Sequence, residues 1–203
     1  EFGISQGVII TINKRIPIAG GMAGGSSDCA TTMIGINQMF DLGLDKKALM
    51  ERGVKLGADV PYCILGGTAI ARGIGEVLTP LKTPPQCHVI IAKPPVSVST
   101  AFVYGHIRPN QIKKHPDVEK MVEAINNQDL KMLAGLLSNV MEEVTIPEYP
   151  IIQDIKEVML ENGALNSIMS GSGPTVFGLY DDKESAEKTV ELLKEKQLTE
   201  QVY

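Results

Sequence analysis

The eleven residues Pro17-Ile18-Ala19-Gly20-Gly21-Met22-Ala23-Gly24-Gly25-Ser26-Ser27 carry four glycines and two serines. So little side-chain bulk lets a backbone approach an anion closely and point several N–H groups at it. A β-rich stretch precedes the run and a helical pattern follows it. The positive end of the helix dipole and its free N–H groups therefore add to the same attraction. The chemistry predicted is the cradling of a phosphate. The plainer alternative is a strand-to-helix turn in which Ser26, Ser27 or Asp28 only caps the helix. The run is not a Walker loop: Gly20 and Gly25 have the right separation, but Ser26 and Ser27 follow and the lysine is absent. Nor is it a dinucleotide fingerprint, since no two of its glycines stand two residues apart.

Three further positions could do chemistry. Asp59 follows a helix stop, precedes Pro61 and is flanked by Ala58 and Val60. A carboxylate in apolar surroundings is unusual unless it is paired or functional, though an aspartate at a turn also serves as a cap. Ser170-Gly171-Ser172-Gly173-Pro174 is a second glycine run, and by length and content it reads as a hairpin turn. Tyr104 offers an aromatic face on which a base could stack, but its pattern alone favours a core ring. Cys29, Cys63 and Cys87, like His88, His106 and His115, lack metal-ligand spacing, so no metal site is expected from them. The cysteines read as reduced thiols of a cytosolic protein.

Four stretches in order carry a resemblance to a known family: Pro17 to Ser27; Gly57-Ala58-Asp59-Val60-Pro61-Tyr62-Cys63; Lys93-Pro94-Pro95-Val96-Ser97-Val98-Ser99-Thr100; and Met169-Ser170-Gly171-Ser172-Gly173-Pro174-Thr175-Val176-Phe177-Gly178. The first resembles the Pro-x-x-x-Gly-Leu-Gly-Ser-Ser motif of the GHMP kinases, with Met22 where leucine is usual. The resemblance implies an α+β protein with a two-domain fold. Residues 1–82 would be a truncated ribosomal-protein-S5-like domain that binds ATP, and residues 83–203 a ferredoxin-like α/β sandwich. It implies a small-molecule kinase that uses ATP with Mg²⁺. Pro17, Ile18, Ala19, Gly20, Gly21, Met22, Ala23, Gly24, Gly25, Ser26 and Ser27 would hold the nucleotide phosphates. Asp59 would be the catalytic aspartate that activates the acceptor hydroxyl.

The Gly-Gly-Ser-Ser-Asp ending resembles the branch of the family that acts in the non-mevalonate route to isoprenoid precursors. That branch phosphorylates the 2-hydroxyl of a cytidine-diphosphate-linked methylerythritol. In it, Thr100 and Tyr104 would line the cytidine pocket, and Gly171, Ser172 and Gly173 would be further contacts beside the phosphate loop. Against the family pattern, the opening strand with its lysine and a nearby Tyr-His pair has no counterpart, and the far end is short. The expectation is a fragment. Its rivals are a family member with another acceptor and a nucleotide-binding piece without turnover.

The elements that must position these residues are legible in outline. Val8 to Lys14 alternates in β-branched types and predicts a strand. A helix follows the glycine run, with Ala30, Met33, Ile34 and Asn37 at helical spacing. Asp45 is placed to cap a short helix ending at Gly57. Gly66 to Arg72 and Glu76 to Leu81 predict a strand pair. Thr83-Pro84-Pro85 reads as a linker. Beyond it come a buried strand from Cys87 to Lys93, a helix start at Thr100, and helices over 117–126, 130–137 and 151–161. Strands over 166–169 and 175–180, an amphipathic helix over 183–196 and a last strand from Gln201 complete an antiparallel α+β layer.

The chain has 203 residues and a net charge of −5, a field that disfavours nucleic acid and anionic membranes. The one notable basic cluster, Lys113-Lys114, reads as a solvated loop. No apolar run approaches the ~20 residues of a membrane span. The resemblance implies a small-molecule partner, in the bacterial cytoplasm or in a plastid if the source is a plant. Oligomeric state is not legible.

Overall fold

The computed structural model describes residues 2–108, 110, 112 and 115–203, so the Lys113-Lys114 cluster lies outside the described residues. The chain divides into two compact units. One holds the segment through Ile18 together with Ala23–Thr83, and the other holds Ala19–Met22 together with Pro84–Tyr203.

The first unit runs α1 (Gly24–Met39), α2 (Lys46–Gly53), α3 (Val60–Leu65), β1 (Thr68–Arg72) and β2 (Val77–Leu81). Its core is small. Ala30 of α1, Leu49 of α2 and Val60 and Ile64 of α3 are buried against one another. Asn37 shares the helical spacing of the apolar positions for a polar reason: its amide donates to the Leu44 carbonyl and accepts from the Leu44 N–H, both at 3.0 Å. That pair ties the α1–α2 connection. The Asp45 carboxylate caps α2 by accepting from the Ala48 N–H at 2.7 Å. Strands β1 and β2 pair antiparallel, from Thr68 opposite Leu81 to Arg72 opposite Val77.

The strand expected over Val8–Lys14 is not part of any sheet. The segment runs beside α1 with Ile9 99 % exposed, and no strand among the described residues pairs with it. β-branched content supplies propensity, but a ladder needs a neighbour to satisfy its N–H and C=O groups.

The second unit runs β3 (His88–Lys93), α4 (Thr100–His106), α5 (Val118–Asn126), α6 (Leu130–Leu136), α7 (Glu142–Glu148), α8 (Ile151–Glu161), β4 (Asn166–Met169), β5 (Val176–Tyr180), α9 (Lys183–Glu195) and β6 (Gln201–Val202). The four strands form one antiparallel sheet in the order β4-β5-β3-β6. Helices α8 and α9 supply the apolar layer against it. Ile152, Ile155 and Met159 recur at helical spacing, are fully buried, and meet Ile90, Ala92, Met169, Val176 and Tyr180 of the strands. Each such side chain contributes roughly 1.5–3 kcal/mol by leaving water. Strand β3 is only partly buried: Ile90 and Ala92 face the core while His88 and Val89 are exposed. Helix α7, with Pro147 inside it, was not legible in the sequence pattern. No helix among the described residues is long and apolar enough to cross a membrane.

Candidate active site

In the first unit, α1 begins at Gly24, three residues before the earliest start that a cap at Ser26, Ser27 or Asp28 would give. The residue before it, Ala23, is left-handed (φ 48°, ψ 27°), and no side chain caps the helix. Ser26 and Ser27 therefore lie inside the first turn and do not act as caps. The first helical bond runs from the Ser27 N–H to the Ala23 carbonyl at 2.9 Å. Helix geometry leaves the N–H groups of Gly24, Gly25 and Ser26 without a carbonyl one turn back. No acidic side chain in the first turn masks their charge. A side chain on Gly25 would enter open space, with nothing within 4 Å. Three free donors, a dipole end and open room beside them are what a bound phosphate requires.

The preceding loop is held in an uncommon backbone. Ala19, Gly21 and Ala23 all have positive φ, at 54°, 70° and 48°. For the two alanines this backbone costs on the order of 1–2 kcal/mol each. Lys14, which the sequence reading passed over, forms an ion pair with Asp28 at 2.5 Å. Its ammonium also lies 2.9 Å from the place a Cβ on Gly24 would take. The available signal was the Lys14-Arg15 pair just before Pro17.

Asp59 occupies the N-cap position of α3, yet its side chain makes no capping hydrogen bond. It is exposed, contrary to the apolar surroundings its neighbours suggest. Val60 and Pro61 turn inward to the core and leave the carboxylate outward. Two contacts fix its turn. The hairpin between β1 and β2 brings Gly75 against the Ala58 carbonyl, and a Cβ on Gly57 would stand 3.8 Å from the Ser26 hydroxyl. The turn that carries Asp59 thus adjoins the first turn of α1. One turn along α3, the Cys63 thiol is pushed above its ordinary range, first by burial and then by the charges of Asp59 and Cys29.

In the second unit, the Ser170–Pro174 run is the hairpin turn between β4 and β5, closed by the Ser170 N–H donating to the Thr175 carbonyl at 2.8 Å. The Ser170 hydroxyl donates to the Gly21 carbonyl at 2.7 Å. A Cβ on Gly21 would fall 2.3 Å from the Ser170 carbonyl oxygen, and one on Gly171 would fall 3.4 Å from the Gly21 carbonyl oxygen. The Ser172 hydroxyl is 2.9 Å from that of Thr100, the first residue of α4. The structure thus joins Gly21, Ser170, Gly171, Ser172 and Thr100 in one contact chain. Gly173, at φ 90°, sits over Met169, with a Cβ position 2.6 Å from its sulfur. Tyr104 lies one turn beyond Thr100 and is 63 % exposed, so it is not the core ring that its pattern favours.

Among the described residues no three His, Cys, Asp or Glu side chains gather as a metal cluster. A magnesium ion that arrives on nucleotide phosphates needs only one or two protein oxygens. The Ser26 and Ser27 hydroxyls and the uncapped Asp59 carboxylate are the oxygens present here, and they fit that need.

Residues 1–67 match the family model described as GHMP kinases N terminal domain, and residues 121–197 match GHMP kinases C terminal. The chain is similar to proteins named 4-diphosphocytidyl-2-C-methyl-D-erythritol kinase. The one from Lachnoclostridium phytofermentans is 56 % identical over 92 % of this chain and 64 % of the relative. The one from Lachnospira eligens is 48 % identical over the whole chain and 70 % of the relative. The chain thus spans about two thirds of the length of the curated relatives it matches. A crystal structure of 4-(cytidine 5'-diphospho)-2C-methyl-D-erythritol kinase superposes with a TM-score of 0.77 at 31 % identity, over 94 % of this chain and 67 % of that one. A homoserine kinase from Cytophaga hutchinsonii reaches the same TM-score, 0.77, at 22 % identity over 94 % and 67 % of the two chains, a likeness of fold alone.

Proposed function

The chain belongs to the GHMP kinase family, and on that premise we propose that the protein transfers the γ-phosphoryl group of ATP to the 2-hydroxyl of 4-diphosphocytidyl-2-C-methyl-D-erythritol. The observation that carries the reading is the uncapped start of α1, with three N–H groups and open space at Gly25, beside the turn that carries an uncapped Asp59. The relatives named for this reaction support the choice of acceptor. The proposed place of action is the bacterial cytoplasm.

Phosphoryl transfer asks little covalent chemistry of the protein. It asks for held phosphates, an aligned acceptor and stabilised charge. The N–H groups of Gly24, Gly25 and Ser26 would hold phosphate oxygens, helped by the α1 dipole. Mg²⁺ accompanying ATP would screen phosphate charge, held by the Ser26 or Ser27 hydroxyl. Asp59, exposed and free of a capping bond, would accept the proton of the acceptor hydroxyl. In the second unit, Thr100 and Tyr104 lie one turn apart on α4, and the exposed Tyr104 ring would stack on the cytosine. Gly171 to Gly173 would support Thr100 through Ser172.

The test is turnover with ATP and competing acceptors: the cytidine-linked methylerythritol, homoserine and mevalonate. Phosphorus NMR should show a new monophosphate ester only on the first. Preferred turnover of another acceptor, or nucleotide binding with no turnover of any acceptor, would overturn the assignment.

A further inference from the structure

Three side chains spaced three residues apart hold the backbone of the second glycine turn. The Asn139 amide donates to the Met169 carbonyl at 2.8 Å and to the Gly171 carbonyl at 2.7 Å. The Glu142 carboxylate accepts from the Met169 N–H at 2.7 Å. The Thr145 hydroxyl, fully buried, donates to the Ser172 carbonyl at 3.3 Å. Positions 139, 142 and 145 follow one face of a helical path that leads into α7, so a single surface reads the turn from its strand end to its tip. The face is itself anchored. The Asn139 side-chain oxygen accepts from the Met141 N–H at 2.9 Å, which fixes which way the amide points. The second Glu142 oxygen accepts from Lys156 of α8 at 2.5 Å, with both side chains largely buried.

The turn cannot supply this order alone. Gly171 and Gly173 both have positive φ, and glycines at such positions surrender the most conformational freedom on ordering. A turn of this composition that also carries the Ser172 contact to Thr100 and the Ser170 contact to Gly21 needs an external template.

We propose that Asn139, with Glu142 and Thr145, is a positioning residue for the reaction: it clamps the Met169–Ser172 backbone and so sets where Ser170 and Ser172 present their hydroxyls. None of the three side chains needs to touch substrate. The proposal rests on the kinase reading above, and its test separates the two.

The experiment compares the wild-type chain with Asn139→Ala, which removes both donors, and with Asn139→Asp, which keeps the acceptor for the Met141 N–H but turns oxygen toward two carbonyls. Hydrogen exchange at the amides of residues 170–173 and 175 and steady-state kinetics are read together. Faster exchange confined to the turn is expected in both variants, with α8 and β5 protected as in wild type. Loss of kcat/KM on the order of 10²-fold is expected, the scale that a misplacement of about 1 Å produces. The affinity for ATP, measured by titration, should hold. Unchanged exchange in a folded variant overturns the clamp. Faster exchange with wild-type kinetics overturns the role in the reaction. A wild-type chain without turnover overturns the kinase reading and the reaction role with it, whereas the exchange result still decides the clamp.

Discussion

The hydroxyl of Ser170 donates to the carbonyl of Gly21 at 2.7 Å, across 149 residues of sequence. Two glycine runs that look like separate local turns are thus joined, side chain to backbone. Gly21 has φ 70°, and a Cβ there would meet the Ser170 carbonyl oxygen at 2.3 Å. Gly21→Ala is expected to destabilise the protein by about 1–3 kcal/mol, since a left-handed conformation and a clash act together. Urea denaturation measures it. A variant as stable as wild type would show that the contact yields at no cost.

Gly25→Val behaves differently. Its side chain would enter open space, and the position is helical. The fold should tolerate it, since valine is a slightly better helix former than glycine, by a few tenths of a kcal/mol. ATP affinity should collapse, because the methyl groups occupy the room beside the free N–H groups. Calorimetric titration checks this; wild-type affinity in a folded protein would remove the α1 terminus from the phosphate site.

Asp59→Asn should leave stability unchanged, because the carboxylate makes no capping bond to lose. Turnover should fall by ~10²–10⁴-fold, mainly in kcat, as for loss of a positioned base. Wild-type kcat in this variant would exclude Asp59 as the proton acceptor.

The same substitution should alter a neighbouring thiol. The charge of Asp59 is the second cause, after burial, that raises the Cys63 pKa. Only the thiolate alkylates, so removing that charge lowers the pKa and raises the thiolate fraction at a given pH. Alkylation of Cys63 at pH 8, followed by peptide mass mapping, should be faster in Asp59→Asn than in wild type. Its pH profile should shift toward acid. An unshifted profile would mean that Asp59 does not face Cys63 in solution.

Tyr104→Ala should change stability by no more than about 0.5 kcal/mol, as expected for a ring 63 % exposed. KM for the cytidine substrate should rise while that for ATP holds, and Tyr104→Phe should be mild because the ring face remains. Equal losses for both ligands would place the ring outside cytidine recognition.

Features of short range were legible in the chain. Asp45 caps α2 as its position suggests, β1 and β2 form the strand pair that their stretches predict, and α9 forms over the amphipathic stretch. The misreadings have physical causes. Glycine is a poor helix former, so a helix that opens on Gly24-Gly25 hides its own start, and Ser26 and Ser27 look like caps when they lie within the first turn. Val144, Thr145, Ile146 and Pro147 oppose helix by propensity, yet α7 forms because its Thr145 and Glu142 find partners in the β4–β5 turn. The exposure of Asp59 and Tyr104 was beyond reach because it depends on which neighbours the fold turns inward. Contacts such as Lys14 to Asp28 or Asn139 to Gly171 join residues that no local pattern relates.

The assignment of Ala19–Met22 to the second unit bears on how the protein can be dissected. The polypeptide passes from one unit to the other at Ile18, returns at Ala23 and leaves again at Thr83. Cutting at Thr83–Pro84 therefore does not yield two self-contained pieces. An isolated 84–203 polypeptide would lack four residues of its own packing and leave the Ser170 hydroxyl without the Gly21 carbonyl. Complementation from two separately expressed halves would have to thread that tetrapeptide back into place, so the covalent continuity of the glycine loop is itself part of what makes the second unit whole.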